Sequence, residues 1–299
     1  MTAAQPVTEG YIPFKGYRTW YQIVGDAAND AARPPLLALH GGPGAPHDYL
    51  ENMAKLAEGG RRVIFYDQLG CGRSDKTGKP EFYTVELFIE ELGEVRRALG
   101  LERIHLLGQS WGGMLAMAYM LTQPKGIASL LIESSPASMP LWAQEANRLR
   151  DELPPDIQAT LLKHEANGTT DSPDYLTAMQ VFYDRHVCRI TPLPNFVQRA
   201  FDTISPEVYG TMNGPSEFHV IGTLKDWDIT RRLGEINVPT LLLSGRHDEA
   251  TPTIMGKVHA GIRGSEWVIF EQSSHLCHVE EEARWMAVVG DWLRAHDQA

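Results

Sequence analysis

The stretch "IHLLGQSWGGMLAMAYM", Ile104–Met120, decides the fold. It opens as an apolar run of buried-strand type, passes a serine set between Gly108 and Gly112, and continues as an apolar helical run. G-Q-S-W-G fits G-x-S-x-G, a pattern short enough to arise by chance. Its context is strand, sharp turn and helix, which is what a nucleophile elbow requires. Small residues are needed on both sides of the serine, because side chains would clash where strand and helix meet. Ser110 is therefore the candidate nucleophile, its hydroxyl raised above the sheet. A plain glycine-rich turn also fits the stretch, so the rest of the chain has to decide.

Working outward, short buried-strand runs alternate with helical patterns. "PPLLALHGG" reads as a strand ending at His40, and "RRVIFYDQ" as another ending near Asp67. "YTVELFIEELGEVRRALG" has helical spacing and stops at Gly100, and "IASLLIESS" is a further strand. Such alternation indicates a parallel sheet covered on both faces. The character changes near Pro140. From "LWAQEANRLRDELPPDIQATLLKHEANG" to "KDWDITRRLGEI" the patterns are helical and looped. "VPTLLLSG" and "SEWVIFEQ" then restore buried strands, and "EEARWMAVVGDWLRAH" is the closing helix. The expected architecture is α/β, with a mostly parallel central sheet flanked by helices. A core of residues 1–139 and 233–299 is interrupted by a mostly helical cap, 140–232. On the carboxyl edge of the sheet that cap would cover the ligand site.

Composition narrows the function. The 299 residues are 43% hydrophobic and 22% charged, ordinary for a globular chain. A formal net charge of -11 without a basic run argues against nucleic acid or an anionic membrane as partner. No apolar run approaches the roughly 18 residues of a membrane span, and no secretory signal is visible at the start. Cys71, Cys188 and Cys277 are few and scattered, so neither a disulfide framework nor a zinc cluster is expected. A reducing cytoplasm is the expected setting.

A serine hydroxyl is a poor nucleophile until a base takes its proton, and the base needs an acid to orient it. In a sheet of this kind the chain order is serine, acid, histidine. "VPTLLLSGRHDEATP" ends a late strand and carries Asp248 in the loop after it, with Glu249 as a second candidate acid. "SEWVIFEQSSHLCHVEEEARW" places His275 in the loop before the closing helix. His278 falls in that helix's first turns, His247 precedes the acid, and His40 and His105 read as core or loop histidines. A tetrahedral oxyanion needs two preorganised backbone donors. The amide of Trp111, after the nucleophile, is one. The glycine-rich loop "HGGPG", His40–Gly44, supplies the other, assigned to Gly42. No metal or organic cofactor is needed for this chemistry.

Taken together, "HGGPG", "YDQLGCGRSD", "GQSWGG", "GRHDEATP" and "SSHLCHVE" resemble, in order and spacing, the proline iminopeptidases and the related tricorn-interacting aminopeptidases of the α/β-hydrolase fold. "NRLRDELP", "FYDRHVCR" and "MNGPSEF" resemble their cap segments, so the resemblance spans nearly the whole chain. It implies release of an N-terminal amino acid, often proline, through an acyl-enzyme. It also implies that Glu217 in "MNGPSEF" and Glu249 in "GRHDEATP" bind the substrate's free α-ammonium. A carboxylate in a dry pocket is costly unless a cation meets it. The expected partner is a short peptide or aminoacyl amide with a free N-terminus. Phe182, Tyr183 and Trp142 are candidates for the walls of a proline pocket. The alternatives are an amino acid amidase or an ester or lactone hydrolase on the same residues, and a ligand-binding protein of this fold without catalysis.

Overall fold

A computed structural model describes residues 5–298 of the chain. Among them, β1 (Val7–Phe14), β2 (Tyr17–Val24), β3 (Leu36–Leu39) and β4 (Val63–Tyr66) precede α1 (Val85–Ala98). β5 (Ile104–Gln109), α2 (Trp111–Met120) and β6 (Ile127–Glu133) follow. Five helices come next: α3 (Met139–Arg150), α4 (Pro155–Asn167), α5 (Pro173–His186), α6 (Asn195–Asp202) and α7 (Pro206–Met212). β7 (Thr240–Gly245), α8 (Pro252–Gly261), β8 (Glu266–Phe270), α9 (Cys277–Glu280) and α10 (Glu282–Ala295) complete the order.

The strands form an eight-stranded sheet among the described residues, in the order β1-β2-β4-β3-β5-β6-β7-β8. β1–β2 and β2–β4 pair antiparallel, and every other pair is parallel. β1 and β2 lie ahead of the first strand that the apolar runs mark. β1 is mostly exposed, so no continuous apolar run announces it. The period of two sends successive residues to opposite cores. Leu37, Leu39, Leu106 and Ile132 meet Phe88 and Leu92 of α1 and Ile254 of α8. Leu36, Ala38, Leu107 and Leu131 meet Met53 and, from α10, Trp285 and Val289.

The helices between β6 and β7 start on local signals. Ser138, Ser172 and Ser205 cap α3, α5 and α7, each accepting the N–H of the residue three positions on, with a proline in the first turn. β3, β5, β7 and β8 all end on the same edge, and the loops that leave it carry "HGGPG", Ser110, Asp248 and His275. In open α/β sheets that edge is where ligands bind.

Candidate active site

Ser110 joins β5 to α2 with φ 57° and ψ −126°. For a residue with a side chain, this left-handed conformation costs on the order of 1–3 kcal/mol and persists only where its surroundings enforce it. Here the Ser110 N–H donates to Glu133 O at 2.9 Å, and Ser135 Oγ donates to Ser110 O at 2.5 Å. The flanking glycines are steric necessities. A Cβ on Gly108 would lie 2.2 Å from Gly112 O, and one on Gly112 would lie 2.2 Å from Leu39 O.

Asp248 and His275 leave neighbouring strands and meet: His275 Nδ1 lies 2.8 Å from Asp248 Oδ1. A carboxylate only accepts, so Nδ1 carries the proton and Nε2 is left for the cavity. Asp248 Oδ1 also accepts Ala250 N–H at 2.7 Å. Both side chains are buried. Burial pushes His275 down, but the Asp248 carboxylate, helped by Glu217 and Glu133, outweighs it and holds the imidazole above its usual 6.5. Ser110 and His275 line one cavity, and among the described residues no hydrogen bond yet joins Nε2 to the serine hydroxyl. Such contacts commonly tighten only when substrate is bound. The carbonyl of His186, at the end of α5, accepts both Glu249 N–H at 3.3 Å and His275 N–H at 3.2 Å. The helices between β6 and β7 thus touch the loops that carry Asp248 and His275 directly.

The other histidines are engaged elsewhere. His278 Nδ1 lies 2.7 Å from the buried Glu133 Oε1, and His105 pairs with Ser129 and Asp297. His40 Nε2 accepts Gln68 N–H at 2.9 Å, so its proton sits on Nδ1, facing Gly41 O at 3.1 Å. Burial pushes His40 down to about 4, which keeps it neutral.

The "HGGPG" loop passes beside Ser110, and Gly42 shares both adjoining cavities with it. Neither the Gly42 amide nor the Trp111 amide donates to an acceptor among the described residues. Two residues that no local pattern singled out hold this region. Gln68 receives Trp111 Nε1–H at 2.8 Å and donates from Nε2 to His40 O at 2.9 Å. Tyr49 Oη accepts Gly41 N–H at 2.6 Å and donates to Gln109 Oε1 at 2.6 Å, while Gln109 Nε2 donates to His275 O at 3.1 Å. Gln68 lies inside "YDQLGCGRSD", which was the available signal; Tyr49 had none.

Glu217 and Glu249 line the same cavity as Ser110 and His275. Glu217 is half-buried, and its Oε1 accepts the Tyr209 hydroxyl at 2.6 Å. Glu249 is 1% exposed, its Oε2 has no partner, and its Oε1 lies 3.7 Å from His275 Nε2. Burial raises the Glu217 carboxyl despite the Tyr209 bond. It raises Glu249 further, with Glu217 and Asp248 adding repulsion. Such a pair favours an arriving cation.

A second, narrow cavity at Ser110 is walled mainly by Met114, Pro136, Met139, Trp142 and Leu224, with Asn213 and Glu217 as its polar side chains besides Ser110. Of the aromatic candidates, Trp142 is in this wall. Phe182 instead packs on Phe218 with ring centroids 5.0 Å apart, and Tyr183 lines a surface groove that adjoins the cavity of Ser110 and His275. Among the described residues no group of His, Cys, Asp and Glu is placed to hold a metal ion, and no helix is long and apolar enough to cross a membrane.

Residues 34–282 match the family described as alpha/beta hydrolase fold. A proline iminopeptidase of Lactobacillus helveticus is 41% identical over 98% of this chain and 99% of its own. The crystal structure of proline iminopeptidase from Mycobacterium smegmatis is 45% identical, with a TM-score of 0.89 over 97% of this chain and 99% of that one. The crystal structure of VinJ is 48% identical, with a TM-score of 0.94 over the same shares.

Proposed function

The chain belongs to the proline iminopeptidase family within the α/β hydrolases and is a serine aminopeptidase, and on that premise we propose that Ser110 is its nucleophile, releasing N-terminal proline or another small apolar residue. Ser110 Oγ attacks the carbonyl carbon as its proton passes to His275 Nε2. The tetrahedral oxyanion faces the Gly42 and Trp111 amides, donors of a kind worth roughly 3–4 kcal/mol each in the transition state. Collapse breaks the C–N bond, His275 gives its proton to the leaving amine, and the acyl group remains on Ser110 as an ester. Water, deprotonated by the same imidazole, then releases the amino acid. Asp248 holds the Nδ1–H tautomer and stabilises the imidazolium.

The observation that carries this reading is the meeting, in one cavity, of Ser110, the His275–Asp248 pair, and the two carboxylates Glu217 and Glu249. The carboxylates would seat the substrate's α-ammonium, and the narrow apolar cavity beside Ser110 suits a small acyl side chain. Segment 140–232 acts as the cap, contributing Trp142, Tyr209 and Glu217. The substrate is a short peptide or aminoacyl amide with a free N-terminus. A cytoplasmic setting suits the buried, unpaired Cys71, Cys188 and Cys277.

The test compares prolyl-2-naphthylamide with its N-acetyl form. The free amine is expected to be far the better substrate, and Glu217→Gln to lower its kcat/KM by roughly 30-fold or more, as loss of a buried charge partner does. Equal turnover of the N-acetyl compound by the unaltered enzyme would rule the reading out.

A further inference from the structure

A surface groove runs between α5 and α6 beside the catalytic cavity. Groove and cavity share Val187, Phe201, Ile204, Tyr209 and Glu217, so the groove adjoins the cavity that holds Ser110 and His275. Its inner part is mainly aliphatic and aromatic. Asp184 and Asp202, one on each helix, are exposed on its outer part. Each accepts one hydrogen bond from the glutamine a turn earlier, Gln180 and Gln198, at 2.7 Å. At the inner end, Glu249 Oε2 is buried without a partner.

The charges along this space share one sign. Among the described residues lining the groove and the two cavities at Ser110, there are four carboxylates, Asp184, Asp202, Glu217 and Glu249, and no lysine or arginine. The arginines on or beside the same helices are turned to other partners. Arg185 donates to Glu152 O, Arg189 to Gln272 O, and Arg199 pairs with Asp48 and Glu51. The whole chain adds a net -11. A carboxylate entering this space would lose water, find no lysine or arginine, and pass the like charges of the exposed Asp184 and Asp202.

We infer that this groove is the leaving-group subsite, and that it selects leaving amines that are apolar and carry no carboxylate close to the scissile bond. This rests on the aminopeptidase reading and adds to it the class of leaving group. The enzyme is then poor on free dipeptides and good on the corresponding amides and on longer chains, whose terminal carboxylate lies outside the groove. Asp184 and Asp202 extend the exclusion outward, so a tripeptide's carboxylate still meets it.

The experiment measures kcat/KM for Pro-Leu against Pro-Leu-amide, and for Pro-Leu-Leu against its amide, with prolyl-2-naphthylamide as reference. The dipeptide amide is expected to exceed the free acid by ~10-fold or more, the scale of one unpaired like-charge contact at partly buried separations. Asp184→Asn combined with Asp202→Asn, both exposed, is expected to narrow the ratio of tripeptide amide to tripeptide acid by ~2–3-fold, a ratio in which any change common to both substrates cancels. Equal values for dipeptide acid and amide overturn the inference, and so does a tripeptide gap that the double variant does not move. Failure to hydrolyse the naphthylamide, which has no carboxylate, would instead count against the aminopeptidase reading. In that case, binding of Pro-Leu and its amide to the protein by calorimetry decides the groove's selectivity, and equal affinities overturn it.

Discussion

At the scale of single residues, the proposed chemistry turns on the protonation of His275. A protonated imidazole cannot accept the Ser110 proton, so activity rises with pH through the His275 pKa. Asp248 holds that pKa above 6.5 against the effect of burial, with Glu217 and Glu133 acting in the same direction. The acid limb of the kcat/KM profile is therefore expected above pH 6.5. Asp248→Asn removes the main opposing charge and leaves burial dominant, so the limb should move to lower pH. The same variant should lose about 10⁴-fold in kcat, because the tautomer is no longer held. A limb that stays in place would show that Asp248 does not govern this histidine. His278 shows why residue type alone was insufficient. It is three positions from His275, but its ring faces Glu133 and Tyr49 O rather than Ser110.

At the scale of elements, the elbow is a packing device. Gly112, in the first turn of α2, sits against the end of β3, whose following loop carries Gly42. The Cβ of Gly112→Ala would meet Leu39 O at 2.2 Å and His40 O at 2.7 Å, both backbone atoms that cannot swing aside. The variant is expected to lose at least ~1–3 kcal/mol of stability, as overpacked sites do. It should also lose activity, because relief of the clash displaces the loop proposed to hold the oxyanion. Urea unfolding and kcat on the same preparation check both. Unchanged unfolding would mean that strand and helix separate more easily than this packing implies. Gly108 and Gly112 were readable from a short motif because the constraint is local. Gln68 and Tyr49, which brace the same loop, act across the sheet edge and left no periodic trace.

At the scale of the whole molecule, the closing helix is tied to the centre of the sheet. Trp285 of α10 is fully buried, and its Nε1–H donates to Glu133 Oε2 at 2.9 Å at the end of β6. Glu133 also meets His278, and its carbonyl accepts the Ser110 N–H. One buried residue, through its carboxylate and its backbone carbonyl, therefore connects the last helix, α9 and the turn at Ser110. Trp285→Ala is expected to cost about 3–5 kcal/mol from the lost aromatic volume. Trp285→Phe keeps most of that volume and loses only the donor, so it should cost less, roughly 1–3 kcal/mol for a buried acceptor short of one partner. Thermal unfolding of the two variants separates packing from hydrogen bonding. Equal losses would assign the whole effect to the hydrogen bond.

The opening stretch Ile104–Met120, the strand runs and the order serine, acid, histidine could all be read along the chain. They depend on neighbour sterics and on periods of 2 and 3.6. β1 escaped that reading because it is mostly exposed and has no apolar run. The convergence of Glu217 with Glu249 was expected only through the family resemblance, while the bracing by Gln68 and Tyr49 and the turning of Phe182 away from the catalytic cavity were outside its reach. So was the cation-free groove between α5 and α6. Each depends on which distant segments share a dehydrated space. Desolvation and like-charge repulsion arise from that sharing, and no single segment encodes them.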